Sequence, residues 1–166
     1  MRVFYRRNID CAALPGHVAA MSVQSARRYN SVMPAITVAP HNYAEVIALL
    51  ETRDWVVCCL CAAWCDVCTE FRADFNRLAR QHPDKVLLWI DIEDRADLVD
   101  EFDVENFPTL LIQLGDDMTF YGTVEPDEKS VNRLILARTR DQAALASTTI
   151  PHHLREKLVA LLQAES

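Results

Sequence analysis

The chain has no apolar run approaching the roughly 20 residues that a bilayer-spanning helix needs, so no membrane role is expected. It also lacks an excess of positive charge. Seventeen Lys and Arg stand against 24 Asp and Glu, a formal net charge of −7. An acidic body repels phosphate backbones and anionic lipid, which sets nucleic acid aside as a partner. Internal repeats and low-complexity tracts are missing too. The cysteines lack the spread of a disulfide scaffold: five of the six fall between Cys58 and Cys68. Neighbours on one strand cannot staple distant parts of a fold. That clustering suits a reducing compartment, in the simplest case the cytoplasm.

With 166 residues, 51% hydrophobic and 25% charged, the chain is long enough for one globular domain with a real core. Charge is unevenly spread. Residues 1–32 carry five arginines against Asp10, a net of +4, so the remainder carries −11. This basic extension lacks the continuous apolar core of a secretory signal. Its Arg-rich, acid-poor composition resembles a mitochondrial presequence, which would direct the protein to the matrix. The simplest reading is an unstructured extension, or a start codon placed upstream of Met21 or Met33, with Cys11 incidental.

Hydrophobic periodicity outlines the rest. A strand is expected at 35–38, then a helix after Pro40 with Asn42 and Glu45 in capping-box spacing. Residues 54–62, DWVVCCLCA, form an apolar run without alternation, as in a strand covered on both faces. Strand, helix and strand in this order imply a right-handed parallel crossover. Cys68, Phe71, Phe75 and Leu78 then recur at helical spacing until His82-Pro83 ends the helix. A buried strand follows at 86–92. The acidic stretch from Asp91 to Glu105 reads as a short helix with a solvated face, with Leu98, Val99 and Phe102 turned inward. FPTLLIQL reads as a strand, 115–117 as a turn, 118–121 as its hairpin partner and 127–138 as a helix. A linker precedes a last helix opened by Pro151, with Leu154, Leu158, Leu161 and Leu162 on one face. The domain is therefore placed at 33–140, between the extension 1–32 and a linker with amphipathic helix at 141–166.

Cys65-Asp66-Val67-Cys68 lies where a buried strand ends and a helix begins. Spacing of three on a helix puts both sulfurs on one face, close enough to bond. Cys65 sits at the helix tip among unpaired N–H groups, which favour the thiolate, the nucleophilic form. Cys68, one turn in, is more buried. Cys65 is thus expected to attack and Cys68 to resolve, with one disulfide, Cys65–Cys68, forming on mild oxidation. Asp66 opposes the thiolate by charge repulsion, an effect smaller than that of the helix dipole.

AAWCDVC resembles the active-site segment of the thioredoxin family, with Trp64 directly before the first cysteine. Forty residues after Cys68, VENFPTLLIQ resembles that family's cis-proline segment, and WIDIED between them resembles its central strand. The resemblance covers about 33–140. It implies an α/β thioredoxin-like fold, a central mixed sheet flanked by helices, here with an unstructured N-terminal extension and an extra C-terminal helix. It further implies that Pro108 is cis and faces the disulfide, that Phe107 offers its backbone to an extended substrate, and that Trp64 forms a hydrophobic lip. Two departures stand out. Asp66-Val67 replaces the family's Gly-Pro, and no histidine stands second between the cysteines, as it does in disulfide oxidants, which points to a reductant. Cys59 occupies the place of a buried acid that helps take the proton from the resolving thiol, so turnover is expected to be slower.

The function implied is a thiol–disulfide oxidoreductase that reduces protein disulfides, needs no bound cofactor and draws electrons from a reductase or small thiol. Two rivals stand beside it. One is a non-catalytic binding or chaperone-like module that docks a partner through its C-terminal helix. The other is a metal-thiolate protein using Cys61, Cys65 and Cys68, whose spacing would suit zinc or an iron–sulfur cluster but lacks a fourth ligand nearby. Cys58, Cys59 and Cys61 otherwise pack as small hydrophobes, Cys59 and Cys61 on one side of their strand and Cys58 on the other. His152 and His153 point about 100° apart on a helix, so they make no ligand pair.

Overall fold

The computed structural model describes residues 33–115, 117–139, 150–151 and 153–164. The extension 1–32 with Cys11, Asp116, all of residues 140–149, His152 and residues 165–166 lie outside the described residues.

A six-stranded mixed sheet, in the order β1-β3-β2-β4-β5-β6, forms the centre. Strand β1 (Ile36–Thr37) pairs parallel with β3 (Val86–Asp91), and β3 pairs parallel with β2 (Trp55–Cys61). Strand β4 (Thr109–Leu114) runs antiparallel to β2, and β5 (Asp117–Thr123) antiparallel to β4. The two-residue β6 (Ile150–Pro151) pairs with the start of β5. All seven residues of β2 are buried, because helices cover both faces of the sheet. Gly115 takes a positive φ of 59° in the hairpin turn and donates its N–H to Asp54 O at 2.8 Å.

The pleat divides the core into two layers. Cys58 and Leu60 point into one, with Tyr43, Val46 and Leu49 of α1 (Tyr43–Leu50) and Leu154 and Leu158 of α4 (Leu154–Ala164). Cys59 and Cys61 point into the other, with Cys68, Phe71, Phe75 and Leu78 of α2 (Asp66–Gln81) and Val131 and Ile135 of α3 (Glu128–Thr139). Residues two apart on a strand share a face, so this sorting follows from the order of the cysteines alone.

Several boundaries differ from the sequence expectation. The first helix begins with a 3-10 turn, Pro40–Asn42, and no side-chain cap forms from Asn42 to the helix. Its carboxamide reaches back instead, accepting the Ala39 N–H at 3.0 Å and donating to Thr37 O at 2.7 Å. The acidic stretch is no solvated helix. It holds a single 3-10 turn, Ala96–Leu98, after a turn in which Asp91 Oδ1 accepts the Glu93 N–H at 3.0 Å. A carboxylate that satisfies backbone donors in this way favours turns over helix. Pro151 joins β6, and the last helix starts at Leu154. No helix among the described residues is long and apolar enough to cross a membrane.

Candidate active site

The site lies where β2 gives way to α2. Cys65 N donates to Ala62 O at 3.0 Å, closing a tight turn, and Thr69 N donates to Cys65 O at 3.0 Å. Cys65 is the N-cap of α2, in extended conformation (φ −84°, ψ 109°) and half-buried. One turn on, Cys68 is 1% exposed and turned towards the sheet. Asp66 stands in the first turn, exposed.

The expected Cys65–Cys68 bond is not the one formed. Cys68 is bonded to Cys61, with Cα atoms 6.0 Å apart, and Cys65 is a free thiol. The reason is orientation. Cys68 projects into the layer between α2 and the sheet, and the pleat delivers Cys61 to that layer, while Cys65 at the cap sits at the layer's rim. The expectation weighed helical spacing and ignored the strand partner that the same face meets. The same finding corrects the picture of Cys61 as a strand cysteine left as a thiol.

Cys59 is fully buried behind this bond, its Sγ 3.8 Å from Cys61 Sγ. Since Cys61 carries no hydrogen in the disulfide, the contact is a Cys59 S–H donated to Cys61. Burial pushes the Cys59 thiol well above its ordinary range, opposed by the nearby Arg72 guanidinium and reinforced by Cys58. Cys58, on the other face, is pushed up to about 12 by burial. Burial disfavours the thiolate form of both.

Arg72 is a residue that the sequence reading missed. Its guanidinium donates to Ala35 O at 3.0 Å and lies over the Trp89 ring, 4.7 Å from the centroid. Burial lowers its pKa, and Cys59 raises it. One signal was available: Arg72 follows Cys68 by four, which places an arginine on the helix face that carries the Cys68 sulfur.

Around the mouth, Trp64 is 66% exposed and Val67 43%. The Trp64 ring meets Phe107 edge-on, centroids 5.7 Å apart, and its Nε1 donates to Glu93 Oε1 at 2.9 Å. Glu93 thus orients the Trp64 ring, a contact the sequence reading also missed although WIDIED ends on this turn. The Phe107–Pro108 peptide is cis. Thr109 pairs with Leu60, so Pro108 stands at the end of the sheet that carries Cys61, and Phe107 packs on the same layer. Trp64, which precedes Cys65, and Phe107, which precedes Pro108, therefore meet. Among the described residues no group of three or more His, Cys, Asp and Glu is placed to hold a metal ion.

Residues 34–134 match the Thioredoxin family model. A thioredoxin H-type of Brassica oleracea is 30% identical over 86 residues, covering 44% of this chain and 70% of that protein. Among solved structures, a mutant thioredoxin from Halobacterium salinarum aligns with a TM-score of 0.54 at 22% identity, covering 66% of this chain and 93% of its own. Spinach chloroplast thioredoxin f (long form) aligns with a TM-score of 0.55 at 17% identity, covering 68% and 93%.

Proposed function

Because the chain belongs to the thioredoxin family, whose domain supports thiol–disulfide oxidoreductase activity, we propose that it reduces protein disulfides through Cys65 and Cys68. The observation that carries this reading is the half-buried Cys65 thiol at the N-cap of α2, next in sequence to the exposed Trp64, whose ring meets Phe107 of the cis Phe107-Pro108 segment. Cys65 attacks a substrate disulfide, which expels one substrate thiolate and forms a mixed disulfide. Cys68, on the same helix face one turn in, then attacks Cys65 and releases the second substrate thiol. An extended substrate would lie along Phe107 and Pro108 by backbone pairing, which reads no side chain and so tolerates many sequences. Electrons come from a reductase or a small thiol, and the free thiols among the described residues, Cys58, Cys59 and Cys65, fit a reducing compartment such as the cytoplasm.

The rival binding module loses its docking device. Leu154 and Leu158 of α4 are both fully buried in the α1 layer, so that helix spends its apolar face within the domain. We accordingly propose that α4 belongs to the same folded unit as residues 33–140.

The deciding experiment is insulin-disulfide reduction with dithiothreitol as donor. The intact chain should accelerate it, and Cys65→Ser should not. Cys68→Ser should accumulate a mixed disulfide located by mass spectrometry at Cys65. An intact chain no faster than dithiothreitol alone would overturn the reading.

A further inference from the structure

We propose that Cys61 is a second resolving cysteine, which draws the disulfide inward from Cys65–Cys68 to Cys61–Cys68 and returns Cys65 to the thiol form. The proposal rests on the dithiol reading above. Three observations point to it. Cys68 is bonded to Cys61, while Cys65, the partner that the proposed cycle gives it, is a free thiol. Cys61 and Cys68 are each 1% exposed, whereas Cys65 is half-buried at the rim. Behind them Cys59 offers its S–H to Cys61 Sγ at 3.8 Å.

The steps balance. After substrate reduction the domain holds a Cys65–Cys68 bond, and both substrate sulfurs have left as thiols. The Cys61 thiolate attacks Cys68 Sγ, the Cys61–Cys68 bond forms, the Cys65–Cys68 bond breaks, and Cys65 leaves as thiolate. The proton lost by Cys61 is matched by the one Cys65 gains from solvent. No net oxidation occurs in this exchange.

Two consequences separate this arrangement from a simple dithiol. The stored bond is hidden from any bulky reductant, so it reopens when Cys65 attacks Cys68 in the reverse step. The oxidised domain also keeps a free nucleophile at its mouth.

The test uses the full chain, reduced and then equilibrated with oxidised glutathione at neutral pH. Free thiols are blocked with light N-ethylmaleimide in denaturant, and disulfides are reduced and labelled with the heavy reagent. Cys58 to Cys68 all lie in the tryptic peptide 54–72, so fragment ions place each label. Heavy label on Cys61 and Cys68, with light label on Cys65, is expected. Heavy label on Cys65 and Cys68 alone would overturn the proposal. Cys61→Ala, which keeps a small apolar side chain, should move the heavy label to Cys65 and Cys68 and make re-reduction by dithiothreitol several-fold faster. In Cys65→Ser the Cys61–Cys68 bond should form at least tenfold more slowly, because its route runs through Cys65. Formation at the same rate would make the bond structural and overturn the relay. Insulin reduction by the intact chain judges the underlying reading separately: label positions do not depend on it.

Discussion

The Arg72 guanidinium stands 4.7 Å over the ring of Trp89, the residue paired with Cys59 across β2 and β3. A cation is thereby held beside Cys59, the position that the family gives to a buried acid and this chain to a thiol. Cys59→Asp should exploit it. A carboxylate there has Arg72 for a counter-charge, whereas Cys58→Asp would bury one in the opposite, apolar layer. Removing a partner from a buried charge costs about 3–5 kcal/mol. Urea unfolding should show Cys58→Asp destabilised on that order, and Cys59→Asp less so by about 1.5–3 kcal/mol, the worth of a hydrogen bond to a charged group. If proton removal from Cys68 limits turnover, Cys59→Asp should also speed insulin reduction.

Thiol reactivity should follow depth. In reduced protein at pH 7, iodoacetamide should modify Cys65 first, and Cys58 and Cys59 only after denaturation. Burial holds the Cys58 thiol at about 12 and pushes Cys59 upward as well. Modification of Cys58 in native protein at a rate near that of Cys65 would contradict the two-sided cover of β2.

The C-terminal helix should behave as core. Leu158 is fully buried against the α1 layer, so Leu158→Ala should cost about 2–5 kcal/mol by denaturant unfolding. The surrounding ion pairs, Lys157 to Asp100 at 2.6 Å and Arg155 to Glu51, are exposed enough that Lys157→Ala should cost under about 1 kcal/mol.

His82 should make stability depend on pH. It caps α2, and its Nε2 donates to Asn132 Oδ1 at 2.7 Å. Burial lowers its pKa, the Asn132 bond opposes the shift, and Lys85 adds to it. The unfolded chain therefore binds the proton more readily. The contribution is fully present above the unfolded value near 6.5 and is lost as pH falls towards the folded one. Unfolding midpoints from pH 7.5 to 5 should decline more steeply for the native chain than for His82→Gln.

Much of this was legible in the residues. The apolar run of β2, the spacing of Cys68, Phe71, Phe75 and Leu78, and FPT ahead of β4 each carried a local rule strong enough to place an element. The pairing of Cys68 was not legible, because two rules pointed to different partners. Helical spacing favours Cys65, whereas strand pleat favours Cys61, and only the angle at which α2 leaves β2 decides between them. Arg72 and Glu93 escaped for a related reason. Each acts on a residue distant in sequence, Trp89 and Trp64, and no periodicity reports such contacts. The acidic stretch misled because charge density was read as helix surface, while Asp91 spends its carboxylate on turn amides.

The division of sulfurs by the β2 pleat bears on how this stretch can be inherited. Swapping one residue for another in β2 alters one side chain and leaves the parity of its neighbours alone. Inserting or deleting one codon before Cys59 reverses that parity. Cys58 and Leu60 would then face α2, and Cys59 and Cys61 would be carried away from Cys68. Lineages of this gene can therefore drift in the letters of the strand far more freely than in its length.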